Sequence, residues 1–218
     1  MIKKKIKLIF FTIIFIYQTS VFSKTTEEID FNPKYLSGYL SALISKNNQN
    51  SRDSVKYFNS SKALINNHEV FLNKYAITLV NNGEVNKSIN VIKQNRYKSN
   101  SDFFEAKLLL LIENFKKKNF YQNIKLLSEL EKYRDYDNYH FIIYEVLRSY
   151  NELFLTRELS TNQENFGKLS LINEAFQSCY LNQTEANSKF LNLFNSEEGD
   201  YTRYLFFYLN NLIEKKKF

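Results

Sequence analysis

The stretch from His68 to Asn95, HEVFLNKYAITLVNNGEVNKSINVIKQN, decides how the rest of the chain is read. Leu72, Tyr75, Ala76 and Leu79 precede Asn81-Asn82-Gly83, and Val85, Ser88, Ile89 and Ile92 follow it. Spacings of three and four residues predict an amphipathic helix on each side of the break. Gly83 lacks a Cβ and takes positive φ at little cost, and asparagine tolerates the same left-handed region, so the chain turns back as a helical hairpin. A hairpin with an apolar face on both arms cannot bury them alone and needs neighbours of its own kind.

Working outward, Asn32-Pro33 opens an earlier helix, with Asn able to cap and Pro preorganised for the first helical position. Tyr35, Leu36, Tyr39, Leu40, Leu43 and Ile44 then recur at helical spacing up to the polar break Lys46 to Asn50. Ser51 is expected to cap a second run, with Val55, Phe58, Leu64 and Ile65 on its apolar side, that ends at Asn66-Asn67. Beyond Asn95, Asp102 and Glu105 form a capping arrangement ahead of Phe103, Phe104, Leu108, Leu109, Leu111 and Ile112. Lys116 to Asn119 turns the chain into Phe120, Ile124, Leu127 and Leu130. From Asp135 the pattern blurs into one long arm reaching about Leu155, and Thr156 to Asn165 is a polar connection. Leu169 to Tyr180 and Ala186 to Phe194 make a last pair around Asn182-Gln183, before a closing helix from Tyr201 to about Lys217.

These hairpins keep a common interval. Ala42 and Ala76, Ser54 and Ser88, and Phe58 and Ile92 are each 34 residues apart. Leu72, Tyr75, Ala76, Leu79, Ser88 and Ile92 match in spacing and size class the pattern of the tetratricopeptide family, which the chain resembles. It departs in identity: there is no Trp, Ser stands where Ala is usual, and no Pro closes a repeat. The resemblance covers roughly residues 32–200 and implies an all-α fold, a right-handed α-α superhelix of about four to five helix pairs plus the closing helix. Ala76 and Ser88 are small enough for the two arms to approach closely.

Composition agrees with an all-helical domain. One Pro and four Gly in 218 residues cannot supply the turns of an all-β fold. The net charge of +7 arises from the ends: residues 1–23 hold four lysines and no acid, and Lys215 to Lys217 supply much of the rest. Between them the charges interleave as on solvated helix faces, and nucleic acid is not an expected partner.

Residues 1–23, MIKKKIKLIFFTIIFIYQTSVFS, read as a cleaved secretory signal, with lysines first, an apolar run from Leu8 to Tyr17, and a small-residue exit before Lys24. The alternative is an uncleaved anchor over residues 6–22, although a spanning helix wants about 20 apolar residues. Residues 24–31 form a flexible lead-in and 32–218 the repeat domain. The expected location is the periplasm or another exported site, as for a bacterial exported member of the family. With Cys179 as the single cysteine, stability there rests on packing without disulfides.

The chemical inventory is sparse. His68 and His140 lie in no metal-binding spacing, and no phosphate-cradling loop or nucleophile elbow occurs. Pairing Cys179 with His140 as nucleophile and base is disfavoured, because nothing near Cys179 in sequence would lower a thiol pKa. The expectation is no catalysis, no metal and no cofactor. Glu105 and Asp102 read as first-turn carboxylates favoured by the helix dipole.

The family resemblance implies instead a concave groove, lined by the first arms, that takes a protein or peptide partner. On this chain its positions are Tyr39 and Lys46 on one arm and Asn73, Ile77 and Asn81 on the next. The lysine and asparagine clamp some members use for a terminal carboxylate is not matched, since Tyr39 and Leu43 stand in its places. Phe206 and Phe207 leave apolar area on the closing helix, to be covered by a partner or by self-association with a second copy, unless the chain is a shortened relative of longer repeat proteins, while Asn210, Asn211, Glu214 and the lysines form its polar side. The competing reading is a helical domain of a cell-envelope enzyme, or an accessory factor, acting on cell-wall material.

Overall fold

The structure is a computed structural model in which residues 32–160, 164–195 and 201–214 are described. The expected signal segment, the lead-in and Lys215 to Lys217 lie outside the described residues. Within them the chain forms ten α-helices and no strand, so the fold is all-α. No described helix is long and apolar enough to cross a membrane.

Three hairpins come first. α1 (Pro33–Asn47) pairs with α2 (Ser51–Ser60), α3 (Phe71–Asn81) with α4 (Val85–Gln94), and α5 (Phe104–Lys116) with α6 (Phe120–Glu131). The long α7 (Asn138–Thr156) packs on α6, and the described residues between it and α8 (Lys168–Tyr180) are not helical. α8 pairs with α9 (Ala186–Phe194), and α10 (Leu205–Glu214) ends the described chain. The Asn32 side chain accepts from the Lys34 N–H at 3.0 Å to start α1, and Gly83 turns the second hairpin at φ +82°.

The 34-residue interval has a physical counterpart. Ser54 Oγ donates to the Ala42 carbonyl at 2.8 Å, and Ser88 Oγ donates to the Ala76 carbonyl at 2.9 Å. All four residues are fully buried, so each hairpin closes on the same contact between a small first-arm residue and a second-arm hydroxyl. In the third hairpin Leu111 and Asn123 occupy these positions, and neither amide atom of Asn123 finds a partner among the described residues. In the last hairpin, Ala175 and Ala186 are small and fully buried. Gly38 marks another close approach: a Cβ there would lie 2.3 Å from Ser61 Oγ.

Neighbouring first arms touch one another. Tyr39 meets Phe71 with ring centroids 5.5 Å apart, Asn73 donates to Glu105 at 3.3 Å, and Phe115 meets Phe154 at 5.9 Å. Between α5 and α7 a second pair, Phe104 with His140 at 4.3 Å, lies toward the start of both helices, so these two arms run in the same direction. The largest core cluster, including Phe58, Phe71, Leu72, Tyr75 and Leu79, fills the space between the first two hairpins. Each such side chain contributes roughly 1.5–3 kcal/mol on burial.

Several local expectations are corrected. Asn50, not Ser51, caps α2: it accepts from the Asp53 N–H at 3.1 Å and donates to the Asp53 carboxylate at 2.8 Å. α2 ends at Ser60, and Leu64 and Ile65 reach the first core from a 3-10 turn, Lys62–Asn66, rather than from one continuous helix. Asp102 precedes α5 without capping it, because its carboxylate is held by Lys132 and lies 3.6 Å from Lys107. On α10, Asn211 is buried and donates to Asn187 at 3.0 Å, so it faces inward and not to solvent. Leu205, Phe206, Leu209 and Ile213 of that helix are exposed.

Candidate functional site

Two places gather polar side chains between first arms. The first joins α1, α3 and α5. Lys46, near the end of α1, is half-buried and held below the ordinary lysine range by burial, with Lys74 acting the same way and Glu105 opposing them. Asn73 and Ile77 are half-buried on α3, Asn81 is exposed at its end, and the Asn73 amide donates to Glu105 of α5. The structure thus brings Lys46 and Asn73 to one charged cluster with Lys74 and Glu105. Ile112 of α5 stands in the register of Ile77 and is exposed.

Tyr39 does not belong to this face. It is only 5% exposed, and its ring packs against Phe58, His68 and Phe71. The turn after α2 carries His68 over it, which the helical register of α1 alone does not reveal. Burial also pushes its phenol above the ordinary tyrosine range.

The second place lies between α7 and α8. Phe141 meets Phe166, Gln177 donates to Ser149 at 3.1 Å and Phe154 meets Tyr180 at 4.9 Å, so these helices run in the same direction without a helix returning between them. Their seam is polar where the earlier ones are apolar. Glu145 is 4% exposed and doubly paired: Arg134 Nε donates to one carboxylate oxygen at 2.8 Å, and Arg148 donates to the other from Nε at 3.0 Å and Nη2 at 2.6 Å. Such charge-assisted bonds offset the desolvation of a buried carboxylate. Arg134 also approaches Glu164 at 3.7 Å, which draws the connecting segment toward the seam. A cavity of about 170 Å³ remains, lined among others by Glu145, Arg148, Phe166, Asn173 and Glu174.

In the sequence these side chains carry only a weak signal. The available signal was Glu145, Asn173 and Gln177 interrupting apolar faces, with Arg148 one turn after Glu145.

The histidines have structural surroundings. His140 Nδ1 lies 2.8 Å from the Asp137 carboxylate, which also accepts from the His140 N–H to cap α7, and its ring meets Phe104 at 4.3 Å. His68 packs at a tilt against Tyr39, ring centroids 4.6 Å apart, with Nδ1 buried and unpartnered among the described residues. Cys179, near the opposite end of the α7–α8 pair, is half-buried against the α8–α9 core. No group of three or more His, Cys, Asp or Glu among the described residues is placed to hold a metal ion. No family model, curated protein or solved structure matches the chain.

Proposed function

We propose that the chain is an exported scaffold of the tetratricopeptide kind, a right-handed superhelix that binds a protein partner as an extended segment along α1, α3 and α5 and performs no chemistry itself. The observation that carries this reading is the recurrence, 34 residues apart, of the Ser54 to Ala42 and Ser88 to Ala76 bonds between arms. A repeated contact of that kind sets first arms side by side and leaves a row of their side chains for a visitor.

Lys46, Asn73, Ile77 and Asn81 provide a cation, two amides and an apolar ledge, a combination suited to a peptide backbone with alternating side chains. The lysine-rich, then apolar, start of the sequence supports export to the periplasm.

The test is selection of peptides on the whole chain, followed by fluorescence polarisation with the selected sequence. Lys46→Ala with Asn73→Ala is expected to weaken binding at least tenfold at unchanged helical circular dichroism, whereas Tyr121→Ala on α6 changes nothing. Binding unaffected by the double substitution would remove the groove. N-terminal sequencing of the secreted protein is expected to begin at Lys24.

A further inference from the structure

We propose that the cavity between α7 and α8 is a second binding site, specific for a cationic head on an aliphatic stem, of the guanidinium or primary ammonium class. This is independent of the peptide groove. The assignment follows from which groups in the cavity remain uncommitted.

Glu145 is fully engaged by Arg134 and Arg148, so neither this carboxylate nor an unpaired guanidinium sets the character of the space. Glu174 lines the cavity and has no ion pair or hydrogen bond among the described residues. Asn173, one residue before it, is only 8% exposed and also has no partner there, although it too lines the cavity. Its amide is therefore uncommitted, and a ligand entering the cavity can bond to it.

Glu174 and Asn173 therefore offer a carboxylate and an amide oxygen, both acceptors, and one amide N–H₂, and a second carboxylate, Glu164, lines the same space with Arg134 3.7 Å away. They fit a ligand rich in N–H donors and carrying positive charge. An anion would face Glu174 with no uncommitted cation lining the cavity among the described residues. Phe166 and Leu171 supply apolar wall for methylenes. A space of about 170 Å³ slightly exceeds that of engineered cavities of roughly 150 Å³ that hold a benzene ring, which is room for a guanidinium and part of its stem.

The head group can belong to an arginine or lysine side chain of a partner or to a free small cation, and the probes separate the two. Calorimetric titration of the full chain uses acetyl-Ala-Arg-Ala-amide, the same peptide with citrulline for arginine, and free agmatine. Saturable binding of the arginine peptide or of agmatine is expected, with the citrulline peptide at least tenfold weaker. Arginine peptide binding without agmatine binding assigns the head to a partner's side chain; agmatine binding at equal strength assigns it to a free cation.

Glu174→Gln, at a half-exposed position that tolerates the change, is expected to weaken the productive probe at least tenfold with an unaltered melting temperature. Lys46→Ala with Asn73→Ala is expected to leave this binding intact, so failure of the groove and failure of the cavity are read separately. Absence of saturable binding by both cationic probes at millimolar concentration, equal binding of the citrulline peptide, or indifference to Glu174→Gln would each overturn the proposal.

Discussion

The hairpins from α1 to α6 and the α7–α8 seam solve one problem in two ways. In the former, each first arm has a returning helix on it, and the contact is closed by apolar side chains, with a small residue and a hydroxyl at its centre in the first two hairpins. In the latter, two first arms meet directly, and Glu145, Ser149, Asn173 and Gln177 lie buried between them. Apolar packing tolerates little empty volume. Polar side chains held by directional bonds can instead leave space, and here they do.

The first way to break this contrast is to hollow out the hairpin side. Phe58→Ala, at a fully buried position, is expected to cost about 3–5 kcal/mol in urea denaturation. Phe166→Ala, on the half-buried connecting segment, should cost well under half of that.

On the seam side, Glu145→Gln leaves Arg134 and Arg148 facing a neutral amide. Because both arginines reach solvent, the expected loss is about 2 kcal/mol, below that of a wholly buried pair. The same denaturation series measures it.

A finer comparison lies within the hairpins. Ser54→Ala and Ser88→Ala should each cost about 1 kcal/mol, and should match one another because their bonds are equivalent. Asn123→Leu at the third such position should change sign, raising stability by about 1 kcal/mol, since it removes two buried atoms that have no partner among the described residues. Unequal serine effects would dissolve the equivalence on which the repeat rests.

The smallest effect is that of acid. Hydrogen bonds from Lys87 and Asn82 hold the Glu84 carboxyl below its ordinary range, and Lys132 does the same for Asp102. Burial opposes ionisation of Glu113, yet Lys117 and Lys93 outweigh it and its pKa is also lowered. Carboxylates with lowered folded pKa stabilise above their unfolded values, near 4.5 for Glu and 3.8 for Asp, and lose that contribution as pH falls through the folded values. The urea midpoint should therefore decline below about pH 4.5, modestly because these pairs are solvent-screened. Lys132→Met should flatten the Asp102 part of the decline.

Much of the arrangement was legible in residue order. The turn at Gly83, the Asn32 cap and the small pairs Ala42 with Ser54 and Ala76 with Ser88 are local or periodic features, and they lie where spacing placed them. Groove positions were less legible. Lys46 and Asn73 do come together, but Tyr39 is sealed by His68 and Phe71, which reach it through an irregular turn that periodicity does not describe. The α7–α8 cavity was not legible, because Glu145 and Glu174 look like ordinary solvated charges until their neighbours are known.

The sequence by itself determined the all-helical class, the hairpin unit and its interval, because these follow from backbone propensities and from contacts within about a dozen residues. Only the tertiary structure decided which polar side chains are buried, which of them are satisfied, and where a space is left over. Those depend on the approach of α8 to α7 across a non-helical connection, and no local pattern fixes the course of such a connection.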